Sequence, residues 1–506
     1  MCSIAGVING DKKDIKKLIN SMSHRAPDDK GYYHDGNISL GMGRLKIIDL
    51  ISKNLCPLID EDLVLTYNGE LYNFIELRNE LIEKGWKFYT SSDTEVLMKS
   101  WKQWGLRMFQ KLNGMYAFAI YDKKKQKIWL ARDIPGEKPL YYYHYGKKFV
   151  FVSEAKSLNK ILNMSKRKDK FYDAFQHCLH KTLWKNVYQV PAAHYIEYDI
   201  KKNQKRVVEY WKFQKRKIDL KNVEEELEEL LVNSINLRLR SDVKYGLYYS
   251  KGIDSSLIST FHNFKYKFYF NDNKNWKKDF LNKIKKIAYH LDFPVGSLSS
   301  YPLWKLAEKA TKNVKIVISG EGADEIFGGY IRYLPIAREW ELRKKMPSYN
   351  YLFGKFYRPH LEAFSRITMR NKNYDFIKKI FQPYFENFDD PINAMGFADF
   401  KIVMPSLLQM GDRMASAFGL ENRCPFLDKN LIEFGFSLPP EYKINGLEQK
   451  IILRNLLIKR GLLKPLKLEK KGLSIKFNEW FGRKDWNRSL YFDHLNKNWN
   501  KVHKQL

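Results

Sequence analysis

Cysteine is scarce in this chain of 506 residues: four occur, Cys2, Cys56, Cys178 and Cys424, far apart and with no CxxC pair. That excludes a disulfide framework and a zinc site of paired cysteines, and it suits a reducing compartment. The eleven histidines are scattered and no HExxH occurs, which removes a zincin-type centre from consideration. No apolar run reaches the ~18 residues that a membrane helix needs. The opening "MCSIAGVING" has neither a basic region nor a long apolar stretch behind it, so no secretory signal is expected and a cytoplasmic location is. Acidic residues are outnumbered, 57 against 89 Lys and Arg, which leaves a net charge of +32. A charge of that size can serve nucleic acid or an anionic surface. Here the lysines are spread along the whole chain beside Asn and Ile, with no recognition motif, so compositional drift is the reading and neither nucleic acid nor membrane is expected as a partner.

Hydrophobic residues at 44% and aromatics at 15% are ample for packed interiors, and the length calls for two domains of roughly 200 to 300 residues. Up to about residue 205 the chain is rich in short strand-like runs, among them "CSIAGVI", "NISLGMGRL", "LVLTYNGELY", "MYAFAIYD" and "KFVFVSE". Two helix-like stretches, near 70–84 and 93–109, interrupt them, which suggests stacked antiparallel sheets with helical covers. Then the texture changes. "VEEELEELLVNSINLRLR" carries apolar residues at helical spacing, "VKYGLYYS", "KYKFYF" and "VKIVISG" look like buried parallel strands, and beyond 330 the pattern is mostly helical. We therefore expect one domain over 2–205 and a second over 222–506.

Cys2 directly follows the initiator methionine. Removal of Met1 would leave a free α-amine, which titrates near 8, beside a thiol, so one residue could supply nucleophile and base. Alone, "MCSI" reads better as a buried cysteine opening a strand. It is followed in order by "GRLKIIDL" (43–50), "YNGELYN" (67–73), "SSDTEV" (91–96) and "ARDIPGEKPLYYY" (131–143). This set resembles the class II glutamine amidotransferase domain of the glutamine-hydrolysing asparagine synthetase family. The resemblance implies an α+β, αββα sandwich of the N-terminal nucleophile type. It further implies that Cys2 attacks the glutamine amide and that Asn68 and the Gly69 N–H form the oxyanion hole. Arg44 would grip the α-carboxylate, Asp93 with Glu70 would hold the α-ammonium, and the backbone of Leu45, Lys46, Ile47 and Ile48 would complete the pocket. In "HRAPDDKG", Ala26 stands where the family has glycine; at positive φ it would cost about 1 kcal/mol.

The second part resembles the synthetase half of the same family, an α/β domain of the ATP pyrophosphatase type with a parallel sheet and a helical C-terminal part. "YYSKGIDSS" (248–256) matches its SGGxDSS loop at every constant position but Lys251, and "VISGEGADEIFGGY" (317–330) matches its SGEGxDE segment. The resemblance implies ATP contacts from Tyr249, Ser250, Lys251, Gly252, Asp254, Ser255, Phe270, Ser319 and Gly320. Glu321 would orient an acyl-adenylate, Lys470 would stabilise its negative charge, and Asp254 with Asp324 would hold Mg²⁺, a hard cation suited to paired carboxylates. Lys251 has two readings. Its ammonium adds a phosphate contact, or its side chain fills space meant for pyrophosphate, with about 1 to 2 kcal/mol of strain if φ is positive. The stretch 271–300 is also shorter than the family pattern. Glutamine, ATP and aspartate are the implied partners, giving asparagine through a β-aspartyl-AMP intermediate and internally transferred ammonia. Another carboxylate acceptor, or a glutaminase with a degenerate second half, stays open, as does a homodimer.

Overall fold

The computed structural model describes residues 1–167, 180–270, 276–293, 297–346, 360–368, 374–467, 473, 480, 495–499 and 501–502. Lys470, Cys178 and, within the shortened 271–300 stretch, residues 271–275 and 294–296 lie outside them.

In chain order the first domain's strands are β1 (Ser3–Ile8), β2 (Asp29–Asp35), β3 (Ile38–Arg44), β4 (Leu58–Asp60), β5 (Leu63–Leu71), β6 (Gly114–Asp122), β7 (Lys127–Arg132), β8 (Tyr141–Tyr145), β9 (Lys148–Val152), β10 (Val187–Gln189), β11 (His194–Asp199) and β12 (Gln204–Glu209). They form two antiparallel sheets, β10-β8-β9-β1-β3-β2 and β12-β11-β7-β6-β5-β4. β1 and most of β5 and β6 are buried along their length because both faces are covered. Between the sheets pack Ile4, Leu40, Tyr121, Phe149 and Tyr198. Helix α1 (Lys12–Ser21) lays Ile15, Leu18 and Ile19 on the outer face of the first sheet, against Ala5 and Val7. On the second sheet lie α2 (Phe74–Glu83) and α3 (Asp93–Trp104), with Leu77, Leu81, Val96 and Leu97 inward. Layer for layer this is the αββα sandwich, and β12 carries its second sheet just past residue 205 to Glu209. The second expected helical stretch is helical only to Trp104, then tightens into a 3₁₀ turn over Gly105–Gln110. Ala26 does not take positive φ, so the missing glycine leaves no backbone strain.

The second domain opens with α4 (Val223–Leu239), which seats Leu227, Leu231 and Ile235 in a second core that also takes in Met1, Leu45, Ile47 and Ile48 of the first domain. Its sheet is parallel, with order β14-β13-β15-β16, from β13 (Tyr245–Tyr248), β14 (Lys267–Phe268), β15 (Ile316–Ile318) and β16 (Glu421–Arg423). Helix α5 (Ile253–Phe261) follows β13. The loops leaving β13 and β15 carry the two expected nucleotide motifs. They emerge side by side at the carboxyl edge, where chains of this architecture bind ligands.

The domains are locked together by buried charge. Arg25, 0% exposed, donates to the Cys2 carbonyl (3.2 Å), to Glu154 (3.0 Å) and, across the interface, to Asp412 (2.8 Å) and Ser416 (3.0 Å). Arg413 answers from the second domain, reaching Asp292 at 2.6 Å and the Ser153 carbonyl at 3.1 Å.

Candidate functional site: two pockets with one strand between them

Cys2 sits immediately before β1, and its N–H donates to Asn68 Oδ1 at 2.9 Å. Asn68, Gly69 and Glu70 follow one another on β5, each buried. The Asn68 Nδ2 group is buried and has no hydrogen-bond partner. A donor left unpaired beside a nucleophile is what an oxyanion site requires, since it gains its partner only when negative charge develops on oxygen. Gly69 is demanded by packing: a Cβ there would lie 2.3 Å from the Met115 carbonyl oxygen on β6. Burial pushes the Cys2 thiol up, so as it stands the sulfur holds its proton.

Arg44, at the end of β3, turns its guanidinium onto the next loop, donating to the carbonyls of Ile48 and Asp49 at 2.8 Å each. It thereby fixes the Leu45–Ile48 turn, while the Lys46 N–H is held by Asp28 at 2.8 Å. The same loop is stitched to the second domain: Asp242 N–H donates to the Ile47 carbonyl (2.9 Å), and Asp49 N–H to Asp242 (2.8 Å). Asp93, the first residue of α3, accepts from Leu71 N–H at 2.9 Å and from the Tyr67 hydroxyl at 3.0 Å. Glu70 lies 3.4 Å from Arg423 of the second domain, and burial pushes its carboxyl well up. Arg44, Glu70 and Asp93 are all buried, and a cation and carboxylates held at fixed positions are the complement of a zwitterionic amino acid.

β16 separates this pocket from the next. Glu421 and Arg423 face the first domain, Glu421 lying 3.4 Å from the Met1 amino group. Asn422, and Cys424 just after the strand, face the other way, towards Glu321, at 3.4 and 3.6 Å. Burial pushes Glu321 up to about 7, against the pull of its Cys424 and Asn422 contacts. Ser319 Oγ lies 3.4 Å from Cys424 Sγ. Gly320 lies so close to Asp254 that a Cβ would sit 2.8 Å from the aspartate's own.

In the β13–α5 loop, Ser250 N–H donates to Ser255 Oγ (3.1 Å), and Gly252 N–H to Ser250 Oγ (3.3 Å). Lys251 takes φ +65 and is exposed, its ammonium 5.8 Å from the Tyr269 ring. The left-handed conformation is therefore real, but the side chain leaves the loop instead of filling it. Tyr249 accepts from Ser256 Oγ at 3.3 Å. Phe270 stands edge-on to Trp276 at 4.2 Å and lines a cavity of about 320 Å³ that Tyr269 also borders.

Asp254 and Asp324 converge, but on a residue given no role by the sequence. Lys450 Nζ lies 2.6 and 2.7 Å from the two Asp254 oxygens and 2.6 Å from Asp324. Among the described residues no group of three or more His, Cys, Asp or Glu could hold a metal. The donor set is two carboxylates aimed at one cation, which fits Mg²⁺ where phosphate oxygens complete the shell. The sequence signal for Lys450 was a lysine just before "IILR"; nothing in it named the carboxylates as partners. Arg25, Glu421 and Arg423 were likewise given no role, being charges that only burial makes significant.

Residues 1–211 match the family described as "Glutamine amidotransferase domain", and residues 226–267 and 274–503 the one described as "Asparagine synthase". The chain is 33% identical over 416 residues to a protein named putative asparagine synthetase (glutamine-hydrolyzing) 2 of Methanocaldococcus jannaschii, covering 70% of this chain and 80% of that one. It is 30% identical over 572 residues to asparagine synthetase (glutamine-hydrolyzing) 1 of Bacillus subtilis, covering 97% and 90%. With asparagine synthetase (glutamine-hydrolyzing) 2 of the same organism it shares 28% over 530 residues, 90% and 69% of the two chains.

Proposed function

This chain belongs to the asparagine synthase family, joined to a glutamine amidotransferase domain, and from that membership we propose that it makes asparagine from aspartate, ATP and glutamine. It is an ATP-dependent ligase with glutamine as nitrogen donor; aspartate as acceptor and the adenylate route are our reading.

Removal of Met1 exposes the Cys2 amine beside its thiol, and the amine takes the proton that burial otherwise keeps on sulfur. The thiolate attacks the glutamine side-chain amide, and Asn68 Nδ2 with the Gly69 N–H meets the oxyanion. Ammonia leaves as the acyl-enzyme forms, and water then releases glutamate. In the second pocket, Ser250, Gly252 and the N-terminus of α5 face the pyrophosphate, and the aspartate β-carboxylate attacks the α-phosphorus of ATP, giving β-aspartyl-AMP. Asp254 and Asp324 would hold Mg²⁺, which when bound neutralises phosphate charge. Glu321, poised near neutrality, orients the adenylate and takes a proton from the incoming ammonia as AMP departs. A sheltered path between the pockets keeps ammonia unprotonated, and the domains meet through buried groups around β16 and Arg25.

The observation that carries this reading is the unpaired, buried Asn68 Nδ2 group beside Cys2. Cys2→Ala is expected to remove glutamate release from glutamine by more than about 100-fold while ammonia-dependent pyrophosphate release persists. Glutamate release from wild type without any ATP-dependent pyrophosphate release on aspartate would reduce the protein to a glutaminase. Pyrophosphate release on a different carboxylate alone would reassign the acceptor.

A further inference from the structure

Lys450 is not placed as an ordinary cation. It is 4% exposed and takes φ +57, a left-handed backbone that lysine rarely adopts. Its ammonium lies between Asp254 and Asp324, within 2.7 Å of three of their oxygens. Gly329 makes the room: a Cβ there would sit 2.1 Å from Lys450 Cε and 2.1 Å from Asp324 Oδ1. The lysine immediately precedes the helix Ile451–Lys459, and the carboxylates come from the first turns of the helices that follow the two motif loops, α5 and Ala323–Ile326.

We infer that Lys450 is a resident counter-ion that closes the two-carboxylate site to divalent metal until a polyphosphate arrives. The inference rests on the reading that these carboxylates serve a metal–nucleotide. Two partly buried carboxylates this close repel each other unless a cation lies between them, and Lys450 supplies one. A dication entering alone must either evict a buried ammonium with nowhere to go or share the site with it, leaving excess positive charge in a partly desolvated cleft. A polyphosphate removes the conflict by giving both cations negative oxygens. Metal and polyphosphate therefore bind cooperatively, and each raises the other's affinity by the same factor.

The test is Mn²⁺ binding to the full chain, read by electron paramagnetic resonance with and without inorganic pyrophosphate, with the free Mn²⁺–pyrophosphate complex as reference. In wild type, pyrophosphate is expected to tighten Mn²⁺ binding by roughly tenfold or more. Lys450→Met is expected to bind Mn²⁺ alone roughly tenfold more tightly than wild type, with little further gain from pyrophosphate. Asp254→Asn should abolish that tight binding in both backgrounds. Equal Mn²⁺ affinity of wild type and Lys450→Met without pyrophosphate, no effect of pyrophosphate on wild type, or binding that survives Asp254→Asn each overturns the inference. Should Lys450→Met fail to fold, the wild-type pair of measurements decides alone. Pyrophosphate release from ATP and aspartate is scored separately. Its absence beside cooperative Mn²⁺ binding sinks the proposed reaction and spares Lys450, and the converse sinks the role of Lys450 alone.

Discussion

Glu321 keeps partial contact with solvent, yet the groups nearest its carboxylate are an amide, Asn422, and a thiol, Cys424, at 3.4 and 3.6 Å. Neither replaces bulk water around a charge, so desolvation raises the carboxyl to about 7. In the unfolded chain it titrates near 4.5, so the fold favours the protonated form. Below pH 4.5 both states hold the proton and the position costs nothing. From there to pH 7 the unfolded chain ionises first, and stability falls until the cost is complete above 7. Glu321→Gln should therefore be more stable than wild type by roughly 2 kcal/mol at pH 8, allowing for the solvent it still meets, and equal to it at pH 4. Urea unfolding at the two pH values measures this, and pyrophosphate release by the variant should be lost. Equal stability at pH 8 would mean that the carboxylate is better solvated than its neighbours imply.

The β13–α5 loop raises the question of strain at the level of an element. Lys251 holds a φ of +65, at a cost to an L-residue of about 1 kcal/mol, and the loop tolerates it because the side chain projects into solvent towards Tyr269. Lys251→Gly is expected to stabilise the protein by about 1 kcal/mol in urea unfolding. With the ammonium gone from the mouth of the loop, the KM for ATP should rise a few-fold, roughly what one exposed ion contact contributes. Faster pyrophosphate release in the variant would instead restore the reading in which lysine obstructs the loop. β16 works at the same scale. Because side chains alternate along a strand, its three residues and Cys424 serve both pockets, Glu421 and Arg423 facing Met1 and Glu70 of the first domain and Asn422 and Cys424 facing Glu321.

Across the whole molecule the two domains share one buried seam. Arg25 binds Glu154 of its own domain and Asp412 of the other while holding the Cys2 carbonyl. Arg25→Met leaves those carboxylates facing each other without their guanidinium, which should cost about 3 to 5 kcal/mol of stability. Because the same arginine ties Cys2 to the second-domain helix Met404–Ser416, glutamine-dependent synthesis should fall further than ammonia-dependent synthesis. Glutamate formed per pyrophosphate released should then rise above the wild-type ratio. An unchanged ratio in a folded variant would make the seam purely structural.

The sequence by itself determined what is local. Short runs of β-branched and aromatic residues set the strands of the sandwich, helical spacing set α4, and the ordered motifs from Cys2 to Asp324 named most of both pockets, since a loop's chemistry is written in consecutive residues. Only the tertiary structure decided which distant charges meet. Lys450 reaches Asp254 across 196 positions, and Arg25 reaches Asp412 across 387. Whether Ala26 and Lys251 bear strain was equally undecided until their φ angles were fixed, without strain for one and left-handed for the other. The physical reason is common to all of these. A charge has the same letter on the surface as in the core, and its meaning comes from the water it has lost and the partner that replaces it.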